Sequence, residues 1–198
     1  MMGDLKKMAV QLTDPISYSL VLKDDVVLLN ELLGEHITLN WTGIIHCQKC
    51  GVITKKSFGE GFCYKCFISA PEAAECIIRP ELCRAHLGEG RDPEWEERNH
   101  NQPHVVYLAL SNAVKVGITR KTQVPTRWID QGASSAIILA ETPNRYLAGT
   151  IEVALKDFYT DKTNWQRMLK NDVDLSVDLV EEKWELEDQL PMDSPLYP

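Results

Sequence analysis

VVYLALSNAVKVGIT, residues 105–119, sets two runs of β-forming residues on either side of a small polar turn. Val, Ile, Tyr and Leu suit a pleated surface and Ser-Asn suits a reversal, so the stretch predicts an antiparallel hairpin. The hairpin also carries Tyr107, Lys115 and Gly117. Working outward, VPTRWIDQG (124–132) predicts a helix, SAIILAE (135–141) a strand, and the segment from about Asn144 to Tyr159 a longer helix. Pro143 and Asn144 suit the opening of that last helix, and Gly132 the close of the one before.

On the N-terminal side, residues 15–46 alternate apolar and polar positions around DDVVLLNELLG (24–34), which reads as strand, short helix, strand. Residues 47–103 hold all six cysteines and few long apolar runs. Beyond residue 170, SVDLVEEKWELEDQL (176–190) reads as an acidic amphipathic helix before a proline-containing end. Four regions follow: a β-rich entry module (1–46), a Cys/His-rich segment (47–103), a sheet with flanking helices (104–170) and an acidic C-terminal segment (171–198). The fold class expected is α+β.

The net charge of −8 and pI near 5.1 argue at first against a polyanionic partner. The distribution argues otherwise. Residues 104–170 hold nine Lys and Arg against five Asp and Glu, whereas 171–198 hold one against nine. The hairpin therefore lies in a basic segment of an acidic chain. An acidic run is an ordinary solvated segment, and it could also compete for the basic surface. The first fourteen residues are too often interrupted by charge for a secretory signal, and no window approaches membrane-spanning length, so a soluble, cytoplasmic protein without membrane contact is expected.

In such a reducing compartment Cys-x-x-Cys pairs point to metal rather than to disulfides. Cys47-x-x-Cys50 and Cys63-x-x-Cys66, twelve residues apart, have the spacing of a four-thiolate zinc ribbon, with Gly51, Gly59 and Gly61 letting the chain double back. Closed sites of this kind fold a chain rather than catalyse. A second constellation supplies Cys76, Cys83 and His86, with His100 or His104 available to complete a shell; the alternative is that the two cysteines pack as small hydrophobes and His86 caps a helix.

Tyr107, Lys115-Val116-Gly117, Arg127, Glu152 and Asn164 are each ordinary alone. Their order and spacing resemble the GIY-YIG nuclease superfamily over about residues 104–165. Val105-Val106-Tyr107 takes the place of the first tripeptide and Lys115-Val116-Gly117 that of the second, while the helix arginine falls on Arg127, the metal-binding glutamate on Glu152 and the following asparagine on Asn164. The chain departs from that pattern at Lys115, where the second tyrosine stands, and at Gln131, where a His or Tyr is often found. The whole chain is also similar to an uncharacterised bacterial family that joins a zinc ribbon to such a domain. The resemblance implies a three-stranded antiparallel sheet and Mg²⁺-dependent hydrolysis of a nucleic-acid phosphodiester: Glu152 holds the ion, Arg127 neutralises developing charge, Tyr107 activates or positions water, and Lys115 holds a phosphate. Two further readings stand beside it. One is a zinc-containing nucleic-acid-binding protein that does not cut; the other is a zinc-organised interaction scaffold using Trp165 and Trp184.

Overall fold

The computed structural model describes residues 1–156, 158–159, 166–167, 170 and 172–186. Asn164 and Trp165 lie outside them. The chain divides into two compact units, Met1–Ala73 and Ala74–Pro198, and the secondary structure is of the α+β class with small antiparallel sheets.

The first unit opens with a three-stranded antiparallel sheet of β1 (Ala9–Gln11), β2 (Ser17–Leu22) and β3 (Asp25–Leu28). Here the structure corrects the helix expected over 24–34. Val26 and Val27 pair with Val21 and Leu20 in a hairpin whose two-residue turn puts Lys23 at φ 44°. β-Branched side chains lose rotamer freedom in a helix and pack well across a ladder, so the strand wins. Only Leu29–Leu32 forms a single 3₁₀ turn. Asn30 holds that turn to β2, accepting from Tyr18 N (2.8 Å) and donating to Ile16 O (2.8 Å). The strand expected next shrinks to β4 (Ile45–His46), paired with β5 (Ile53–Thr54) and followed by α1 (Tyr64–Ser69).

The second unit is built on β6 (His104–Leu110), β7 (Val114–Arg120) and β8 (Ser135–Thr142), all antiparallel in the order β7-β6-β8. Every residue of the central β6 is buried because both faces of the sheet are covered, which is why VVYLAL is a continuous apolar run rather than an alternating one. Val106, Leu108 and Leu110 pack with Ala148, Ile151 and Leu155 of α4 (Arg145–Leu155) and Leu179 of α5 (Leu179–Glu185). Val105, Tyr107 and Ala109 form a second cluster on the opposite face, packed with Trp128 of α3 (Thr126–Asp130) and with Ile138. Asn144 caps α4, its side chain accepting from Leu147 N at 3.0 Å. The helix stops at Leu155, short of the expected Tyr159, whose hydroxyl instead donates to Glu182 on α5.

Residues 74–100 consist of short 3₁₀ turns and α2 (Pro93–Asn99) and belong to this second unit, whereas composition groups them with the ribbon. The turn Pro80–Leu82 lies directly on α4: a Cβ at Gly149 would sit 2.5 Å from the backbone of Pro80 and Glu81. Among the described residues no helix is long and apolar enough to cross a membrane.

Candidate metal centres and the Tyr107 site

Cys47, Cys50, Cys63 and Cys66 bring their sulfurs within 4.8 Å of one another. The first pair sits on a tight knuckle, where Gly51 at φ 72° returns its N–H to Cys47 O (2.8 Å) and Cys47 N bonds Val52 O (2.9 Å). Cys63 precedes α1 and Cys66 lies in its first turn, and Gln48 N to Gly61 O (2.9 Å) joins the two halves. The Cys50 and Cys63 sulfurs are 3.9 Å apart. An ion with metal–sulfur bonds of ~2.3 Å in a tetrahedron requires an edge of about 3.8 Å. Burial opposes ionisation of Cys47, but the backbone N–H groups of Cys50, Cys63 and Lys49 bring it down to about 6. Burial and the neighbouring thiols push Cys66 up to about 12. Thiols this close ionise together only around a cation.

The second cluster is Cys76, Cys83, Glu96 and His100, again within 4.8 Å and wholly buried. His100 Nδ1 is 3.6 Å from the Cys83 sulfur and 3.9 Å from that of Cys76, and it pairs with the Glu96 carboxylate. Glu96 and His100 stand one helical turn apart at the end of α2, which aims both inward. Gly90 leaves the space for Glu96, since a Cβ there would fall 2.5 Å from Glu96 Cγ. A hydrogen bond from Cys76 brings the Cys83 thiol down to about 4 against the opposing effect of burial, and the same bond raises Cys76. Burial raises the Glu96 carboxyl.

One sequence assignment changes and one open alternative narrows. His86 is exposed on the 3₁₀ turn Ala85–Leu87, stacked on Tyr146 at 4.6 Å, and takes no part in the cluster; its Cys-x-x-His spacing does not form a knuckle because that turn carries the ring outward. His104 points its Nδ1 at Gln102 O (2.7 Å), leaving His100 as the histidine of the cluster. Glu96 is the member of the cluster that sequence spacing does not single out. Its only signal in the sequence is the Glu-x-x-x-His spacing on a short helix.

On the sheet, Tyr107 stands opposite Gly117, and its ring lies across that glycine: a Cβ at 117 would fall 2.8 Å from the phenol oxygen. The hydroxyl donates to Gln131 Oε1 at 2.9 Å, and Trp128 meets the ring edge-on at 6.0 Å. Burial raises the phenol's pKa, Arg127 opposes that shift and Glu152 adds to it, so both charges act on one oxygen from α3 and α4. Arg127 is exposed and Glu152 half-buried. Lys115, two residues before Gly117 and on the same face of β7, is 5 % exposed, and burial lowers its pKa.

The family described as "Protein of unknown function (DUF2797)" matches residues 34–195. The chain belongs to that family. No curated protein and no solved structure matches it. The DUF2797 match spans both cysteine clusters and the Tyr107 site, so both candidate metal centres fall inside the family's own extent.

Proposed function

We propose that this DUF2797 chain is a metal-dependent nucleic-acid phosphodiesterase of the GIY-YIG type, folded in part around structural zinc. The observation that carries the reading is the ring of Tyr107 laid over Gly117, with the charges of Arg127 and Glu152 acting in opposite senses on its phenol. The Arg127 side chain, hydrogen-bonded to the Tyr107 phenol, is exposed, a position from which it would neutralise charge developing on a phosphate in the transition state. Tyr107 orients a water through its oxygen, and Lys115 adds a cation to the same face of β7. Glu152 is a single half-buried carboxylate, a donor set suited to Mg²⁺, which keeps most of its waters; when bound it would stabilise the leaving oxygen. The basic balance of residues 104–170 supports a polyanionic substrate. The four sulfurs of the ribbon favour zinc among common divalent ions.

One observation favours a second reading, binding without cleavage. Tyr107 is fully buried and its hydroxyl is already engaged by Gln131, a side chain that cannot act as a base. A panel of linear and branched DNA and RNA, with and without Mg²⁺, separates the two. The first reading expects Mg²⁺-dependent cleavage that is lost in Glu152→Gln. No cleavage together with salt-sensitive retention on a polyanion, weakened in Arg127→Ala, would establish the second. Failure of both would leave an interaction scaffold.

A further inference from the structure

We propose that Cys76, Cys83, Glu96 and His100 bind one divalent transition-metal ion, separate from the ribbon's, and that this ion clamps residues 76–100 to the start of α4. Two sulfurs, one imidazole nitrogen and one carboxylate oxygen form a complete donor set for zinc. The sulfur–nitrogen distances of 3.6 and 3.9 Å lie slightly above the edge of such a shell, about 3.5 Å for metal bonds of ~2.3 Å to sulfur and ~2.0 Å to nitrogen. The four residues are between 2 % and 9 % exposed, so the site is closed and its work is structural rather than catalytic. Simple apolar packing explains two buried cysteines. It does not explain why a buried carboxylate, paired with His100 and accepting from the Arg91 backbone, converges on the same sulfurs as a fourth donor.

The clamp follows from Arg145. Its side chain donates through Nε to Cys76 O (3.0 Å) and through a terminal nitrogen to Ile77 O (2.8 Å), while its backbone N–H donates to His100 O (2.8 Å). One residue at the first turn of α4 thus holds the backbone at both ends of the ligand set. Pro80 and Glu81, between the two cysteines, lie on Gly149 one turn further along. The ion closes the loop between these contacts, and α4 carries Glu152 beyond them. The inference does not rest on the phosphodiesterase reading, because its test reads metal content.

Native mass spectrometry of the full chain, purified without chelator, is expected to show about two metal ions. Cys63→Ser and Cys83→Ala should each lower the content by one, and His86→Ala should leave it unchanged. Should Cys83→Ala fail to fold, Glu96→Gln keeps the shape and is expected to lose the second ion at about tenfold lower chelator concentration than the unaltered protein. After cobalt substitution, that variant should change the absorption of one site only. Hydrogen exchange completes the test: release of the second ion should speed exchange of the amides of residues 147–151. One ion in the unaltered protein, or Glu96→Gln releasing metal like the parent, would overturn the site. Two ions with α4 exchange indifferent to the second would overturn the clamp.

Discussion

Gly117 lacks a side chain where the ring of Tyr107 occupies the space one would need. Trp128 sits against that ring and Gln131 holds its hydroxyl, so the tyrosine has little freedom to withdraw. Gly117→Ala is therefore expected to destabilise the second unit by about 2 kcal/mol, read as a shift in urea midpoint at unchanged slope. In a Tyr107→Leu background the same change should cost markedly less, because the atoms nearest the new methyl are gone. Equal costs in both backgrounds would show that the close approach is not what constrains residue 117. His104 makes a pH prediction. Its Nδ1 donates to Gln102 O, and its buried Nε2 has no partner among the described residues. Burial lowers its pKa from 6.5 to about 4. The unfolded chain then binds the proton more readily than the folded one, so stability falls as pH drops from about 6.5 towards 4, by no more than about 3 kcal/mol. His104→Asn should flatten that part of a stability–pH curve relative to the unaltered chain, and parallel curves would refute the assignment.

At the scale of elements, α4 joins the sheet to the segment that carries Cys76, Cys83, Glu96 and His100. Ala148, Ile151 and Leu155 fill the core beneath the sheet, and Gly149 accepts the Pro80–Leu82 turn. Gly149→Ala pushes a methyl into backbone, which cannot rotate away as a side chain can. A loss of about 3 kcal/mol is expected, larger than for Gly117→Ala, and thermal unfolding of the two variants side by side checks the order. The other strands show which patterns survive in sequence. VVYLAL and SAIILAE are rich in β-branched and aliphatic residues bounded by turn formers, and they form β6 and β8 at their expected places. DDVVLLNELLG satisfies helical and extended patterns equally. Pairing with β2 decides between them, and that partner lies outside any local window.

The whole molecule consists of two units with different sources of stability. Among the described residues, the main core cluster of the second holds eleven buried residues: ten from the sheet, α4 and α5, and Leu186 just beyond α5. The ribbon has a two-residue strand pair and a cluster in which only Cys47, Phe62 and Ala70 are buried. Burial on that scale falls short of the chain entropy of ordering the ribbon, so an ion held by its four sulfurs would contribute most of its stability. Progressive chelation followed by limited proteolysis is expected to open cleavage sites within 47–70 before any within 104–155. Simultaneous cleavage of both would contradict independent stabilisation.

The cysteine pairs and the β6–β7 hairpin could be read from sequence because their information is local: a metal knuckle and a two-stranded turn each close within a few residues. Tyr107, Arg127 and Glu152 were legible only as a spaced series, and nothing in that spacing states that a phenol would lie over Gly117 with its hydroxyl turned to Gln131. The tertiary structure decided the make-up of the second cluster, putting Glu96 where the spacing suggests His86 and taking His100 rather than His104. Cys83 and His86 look paired along the chain, yet a 3₁₀ turn sends His86 outward while α2 aims Glu96 and His100 at the sulfurs. A ligand set is defined by where donor atoms converge in space. Sequence spacing reports that convergence only when the intervening chain has a fixed geometry, as a knuckle does and an irregular run of short turns does not.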